Sequence, residues 1–150
     1  FHTVQELHPS MSRTPKAIPQ SIRNLEGLLS HGALIWFVSI LLSHLFFPPW
    51  PVAAFASVSM NCVYVLACIL SRDGNHLLLE LLVTLSLIVV TVYGYQTSSA
   101  MLLAGAIVGH GIWDLTKHTC CTGVPFFGWY LSFCAIFDVL YASVLFQFLL

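Results

Sequence analysis

Residues 76–95 read HLLLELLVTLSLIVVTVYGY, a run of lipid-soluble side chains broken by one formal charge, Glu80. A helix needs about 20 mostly apolar residues to cross the hydrocarbon core of a bilayer, and this run has that length. Before it, Ser71-Arg72-Asp73-Gly74-Asn75 is a turn rich in loop formers, and after it Gln96-Thr97-Ser98 is a tight polar turn. Four more stretches of comparable length lie outward of these turns, giving spans at 25–47, 52–70, 76–95, 99–116 and 125–150. Pro48-Pro49-Trp50-Pro51 separates the first two, because successive prolines lack N–H donors and cannot continue a helix. The last stretch is longer than one perpendicular crossing requires, so tilt or a protruding end is expected.

Composition points the same way. Of 150 residues, 58% are hydrophobic and 7% charged, and mean hydropathy is +0.88. Soluble domains carry about 25% charged residues, so lipid must be the solvent for most of this surface. The expected fold class is therefore all-α, a polytopic transmembrane helical bundle of about five spans. Residues 1–24 are expected to form a polar extramembrane tail and residues 25–150 the transmembrane domain. The lipid bilayer is the first partner and further membrane proteins are candidates. Nucleic acid is excluded as a partner, because Lys and Arg total 5 and the formal net charge is −1.

The basic residues give an orientation. Arg13, Lys16 and Arg23 precede the first span, Arg72 separates the second from the third, and Lys117 separates the fourth from the fifth. All fall on one side, as the positive-inside bias demands, which places the amino terminus on the cytoplasmic-type side. Trp50, Tyr95 and Trp129 lie near predicted span ends, where amphipathic rings favour the interface. The five cysteines are expected as free thiols, since Cys62, Cys68 and Cys134 lie within apolar runs and Cys120-Cys121 are adjacent.

Ionisable groups within hydrocarbon cost about 2.5 to 3.5 kcal/mol each on insertion scales, so each needs a partner, a cavity or a task. On the fourth span His110, Asp114 and His118 recur every four residues and lie within an arc of roughly 80°. On the third, His76 and Glu80 are also four apart; the first offers His31 and the fifth Asp138. The functional reading gathers these in the inner half of the bundle, with His110, Asp114, Asp138 and Glu80 as candidate catalytic acids and bases. A divalent metal on His110, Asp114 and His118 is a candidate cofactor. Haem or another pigment on His31, His76 or His110 is a further candidate, although no spacing selects a pair. The plainer reading makes Asp114 and His118 interfacial, His76 a cap, and the rest interhelical hydrogen bonds.

Gly105 and Gly109 form a G-x-x-x-G pattern that would let another helix approach beside His110. Ser39, Ser43, Ser57 and Asn61 are expected to bridge helices. His110-x-x-Trp113-Asp114-x-x-x-His118, followed by Pro125, Cys134 and Asp138, resembles a pattern of small uncharacterised polytopic membrane proteins of bacterial type. Their motif looks like H-x-x-W-D-x-x-H-H, then a proline, then a cysteine and an aspartate on the next helix. Lys117 stands here in place of the first histidine of the pair. The resemblance covers the last two spans, implies no activity, and groups His110, Trp113, Asp114, His118 and Asp138.

Two functions from different classes follow. One is an integral membrane protein with a metal-binding or acid–base site for a membrane-soluble substrate. The other is a noncatalytic subunit of a larger membrane complex. A transporter is a third, although no inverted repeat is visible.

Overall fold

A computed structural model of the protein describes residues 17–120 and 122–149, and 84% of it is helical. Among the described residues no strand occurs and six helices follow in order: α1 (Gln20–Arg23), α2 (Glu26–Ser43), α3 (Pro49–Ser71), α4 (Gly74–Gln96), α5 (Ala100–Cys120) and α6 (Gly128–Leu149). The five long helices correspond to the five expected spans. Four of them, α2, α3, α4 and α6, are long and apolar enough to cross a membrane. That is consistent with a multi-pass membrane protein. The one left out is α5, which carries His110, Asp114, Lys117 and His118.

Local chemistry sets the helix ends. Proline is tolerated in a helix's first turn, where N–H groups have no partner anyway, so Pro49 opens α3 rather than lying in a linker. Between α3 and α4 only Arg72 and Asp73 intervene. Arg72 takes the left-handed conformation (φ 55°) that stops α3, and Asp73 caps α4 by accepting from the backbone N–H of Asn75 and His76. His76 Nδ1 lies 2.6 Å from the other Asp73 oxygen. Partial burial pushes the Asp73 carboxyl up, but the hydrogen bonds from His76 and Asn75 outweigh it and hold the group below the usual carboxylate range.

Short connections make successive helices antiparallel neighbours. Arg23, Arg72 and the 122–127 loop therefore share one end of the bundle, called the basic end below. There the segment read as a polar tail finishes in α1, whose Ile22 is buried beside Tyr64, Ala67 and Cys68; residues 1–16, with Arg13 and Lys16, lie outside the described residues. Two apolar cores result. One, at the far end, joins α3, α5 and α6 around Ala53, Ala56, Leu103, Ile107 and Tyr141. The other, at the basic end, packs Tyr64, Val124, Phe126, Phe127, Tyr130 and Leu131. The outer faces are apolar as well: Leu78, Leu82, Leu85 and Val89 form an exposed stripe along α4, suited to lipid.

Three packing expectations need correction. The close approach of α5 to α6 is made at Gly111, where a Cβ would lie 3.2 Å from Asp138 Cβ and 3.3 Å from the Ala135 carbonyl oxygen. Gly105 has open space around it, and Gly109 meets only the Leu87 side chain on α4. Ser39 and Ser43 donate to carbonyls of their own helix four residues back, because that acceptor is always in reach and α2 packs only lightly on its neighbours. The Asn61 amide likewise bonds the Ser57 carbonyl on its own helix, whereas the Ser57 hydroxyl does bridge to Thr91 on α4, at 2.7 Å. Cys62, Cys68, Cys120 and Cys134 are free thiols, and Cys121 lies outside the described residues.

Candidate functional site

One face of α5 carries the polar chemistry into the bundle. A side chain seven residues on returns to within about 20° of its starting direction, whereas one eight residues on is displaced by about 80°. Accordingly His110, Asp114 and Lys117 are all buried, and His118 is exposed. His118 sits beside Gly128 at the start of α6, and the three ligand atoms that lie together are those of His110, Asp114 and Asp138 rather than of the expected His110, Asp114 and His118. The structure also corrects the place of Lys117, which belongs to the last turns of α5 rather than to a loop and is only 4% exposed.

The first cluster lies about halfway along its helices. His110 is ten residues from Ala100 and from Cys120, and Asp138 is ten from Gly128, so both are about 15 Å from the basic end. His110 Nδ1 and Asp138 Oδ2 are 2.7 Å apart, across the close contact that Gly111 permits. Asp114, one turn along, has its Oδ2 3.8 Å from the same nitrogen. Its Oδ1 accepts a 2.6 Å hydrogen bond from the Tyr64 hydroxyl on α3. Ligand atoms of His110, Asp114 and Asp138 all lie within 4.8 Å of one another. Two buried atoms in this cluster, His110 Nε2 and Asp114 Oδ2, have no hydrogen-bond partner.

The second cluster is nearer the basic end. Lys117 Nζ donates to Glu80 Oε1 at 2.5 Å, and both side chains are 1% exposed. The same oxygen accepts the backbone N–H of Val124 at 2.9 Å, and Glu80 Oε2 accepts Trp113 Nε1–H at 3.0 Å. The Lys117 ammonium also lies over the Tyr64 ring, 3.4 Å from its centroid. Gly123, in the loop that closes over this pair, has φ +71°, and a Cβ there would lie 2.5 Å from Glu80 Oε1. Only glycine allows both that backbone and that approach. Glu80 thus belongs with Lys117 rather than with the acid–base set expected around His110.

The remaining candidates lie elsewhere. His31 is on an exposed face of α2, with Nδ1 2.7 Å from the Gly27 carbonyl oxygen of its own helix. His76 serves the Asp73 turn, and His44 bonds the Tyr141 hydroxyl at 2.8 Å near the far end. His31, His76 and His110 thus occupy three separate environments, so no bis-histidine haem seat is assembled from them.

A cavity of about 350 Å³ lies against the first cluster, lined by His110, Asp138 and Tyr64 on one side. Its other walls are apolar or aromatic, among them Leu28, Trp36, Phe37, Tyr130 and Phe137. Tyr64, Lys117 and Gly123 had no motif to mark them in the sequence. The usable signal was the i, i+4, i+7 spacing of His110, Asp114 and Lys117. No family model, curated protein or solved structure matches this chain.

Proposed function

We propose that this chain is a five-span membrane protein, amino terminus on the cytoplasmic-type side, whose His110–Asp138 pair works as acid and base on a membrane-soluble molecule held in the adjoining cavity. The observation that carries this reading is the buried His110 Nε2, which has no hydrogen-bond partner, in a residue that lines an apolar cavity. A buried nitrogen without a partner is costly, and a ligand that hydrogen-bonds it removes the cost. Asp138 accepts the proton of Nδ1–H, which fixes the ring's tautomer and leaves Nε2 as a lone-pair base. Asp114, held by Tyr64, supplies the negative charge that stabilises the imidazolium formed when Nε2 takes a proton. The suspected resemblance of the last two spans to small bacterial-type membrane proteins has His110, Asp114 and Asp138 among the residues it groups. Lys117 in place of a histidine takes nothing from this centre, since it is bound to Glu80.

The fifth crossing is α5 itself. At 21 residues it is about 31 Å long, and its His110, Asp114 and Lys117 face α6, α3 and α4 rather than lipid.

The test compares lipid extracts of membranes bearing the wild type with those bearing His110→Gln at equal protein levels. Acid–base chemistry predicts lipophilic species gained or depleted in the wild type alone; identical extracts would overturn the reading. A second reading is favoured by the 4.8 Å grouping of His110, Asp114 and Asp138: a divalent metal at that centre. Stoichiometric metal in the purified wild type, lost in Asp114→Asn, would replace the acid–base reading with that one.

A further inference from the structure

Tyr64, fully buried on α3, touches both ionic clusters. The Lys117 ammonium lies 3.4 Å from the centroid of its ring, Phe126 meets the ring edge-on at 5.4 Å between centroids, and the His110 ring runs nearly parallel to it at 5.8 Å. Those three contacts fix the plane of the ring, and with it the direction of the hydroxyl. That hydroxyl ends on Asp114 Oδ1, 2.6 Å away.

The reason for such a bond lies in how two aspartates stand to His110. Asp138 comes from α6 and Asp114 from the next turn of α5, and each turns an oxygen toward the same nitrogen. Asp138 Oδ2 is 2.7 Å from Nδ1 and Asp114 Oδ2 is 3.8 Å from it. The first distance is a hydrogen bond and the second is not. Asp114 Oδ2 is nevertheless buried with no partner, so closing roughly 1 Å on Nδ1 would give it one. Moving it inward turns the carboxylate and breaks the bond from Tyr64. That bond has an ionised acceptor and belongs to the stronger class.

We propose that Tyr64 is the positioning residue of this centre: its hydroxyl restrains Asp114, reserves the Nδ1 proton of His110 for Asp138, and so holds the imidazole in one orientation. This rests on the acid–base reading and names the group that divides the work between its two carboxylates. Without the hydroxyl, two acceptors compete for one proton and the ring's orientation spreads between them. Phenylalanine would keep the ring, its packing on Phe126 and its face toward Lys117, so Tyr64→Phe isolates the hydroxyl.

The test follows the His110 Nδ1–H signals of the ¹⁵N-histidine-labelled full chain in lipid nanodiscs. Tyr64→Phe should replace the single wild-type signal by two, or by one broadened by exchange. Adding Asp114→Asn should restore a single sharp signal, because the competing carboxylate is gone; a mere packing role for Tyr64 predicts that the disturbance persists. In the otherwise native chain, Asp138→Asn should move the signal much further than Asp114→Asn does. In lipid extracts Tyr64→Phe should shrink the wild-type difference about ten- to hundredfold, the cost of loosened placement at a reacting group. An Nδ1–H signal unchanged in Tyr64→Phe, a disturbance that survives Asp114→Asn, or an undiminished extract difference would overturn the proposal. So would equal shifts from Asp114→Asn and Asp138→Asn, a comparison that needs no Tyr64 variant to fold. None of these outcomes decides the acid–base reading, which stands or falls on the His110→Gln extracts.

Discussion

Two buried ionic clusters share one face of α5, and their difference is one of completeness. At the basic end, Lys117 and Glu80 are closed: both carboxylate oxygens are engaged, by an ammonium, an indole N–H and a backbone N–H, with Gly123 folded over them. Halfway along the helix, His110, Asp114 and Asp138 keep two unpartnered atoms and adjoin a cavity. Burying charge is costly in both places, but only the closed cluster recovers the cost within the protein. The closed cluster is thereby assigned to holding α4, α5 and the 122–127 loop together. The open one is assigned to meeting a ligand.

That assignment is broken most directly by uncoupling the closed pair. Lys117→Met should cost about 3–5 kcal/mol of folding stability, because Glu80 is left buried without its cation. Adding Glu80→Leu should recover most of the loss, and reversible denaturation in mixed micelles measures both. Gly123→Ala should cost roughly 1–3 kcal/mol in the same assay, since it forces a side chain into the left-handed region and against Glu80. Asp73→Ala, which removes the cap of α4 outside both clusters, should cost about 1 kcal/mol. The open cluster sharpens the contrast. His110→Gln, whose amide N–H can still donate to Asp138, and Asp114→Asn, whose amide oxygen can still accept from Tyr64, should each change stability by no more than about 1 kcal/mol. Yet both should abolish the lipid-extract difference between protein-bearing and control membranes. A closed-cluster variant that is stable but inactive, or an open-cluster variant that unfolds, would reverse the two roles.

Much of the architecture was legible because lipid imposes a simple rule, that a crossing helix must be apolar for about 20 residues. The five runs and their turns follow from that rule alone. The centre was legible in part. His110 and Asp114 share a helix, so their juxtaposition is local and periodicity finds it. Asp138 joins them only where Gly111 lets α6 approach α5, a tertiary contact that the G-x-x-x-G pattern at Gly105 and Gly109 does not mark. Lys117 was misread for a physical reason. A basic residue near a span end usually marks topology, and the one that turns inward differs only by lying seven residues from His110, on its face. Tyr64 carried no sequence signal, because a tyrosine in an apolar run reads as core until an acceptor is found for its hydroxyl.

The central claim is that His110 is held by Asp138 through Nδ1–H and keeps Nε2 as an unpartnered lone pair. Nitrogen NMR of ¹⁵N-histidine-labelled protein in lipid nanodiscs, with the His110 signals assigned by their loss in His110→Gln, tests it most directly. The account predicts a ring protonated at Nδ1 and carrying its lone pair at Nε2. A ring protonated at Nε2 would contradict it.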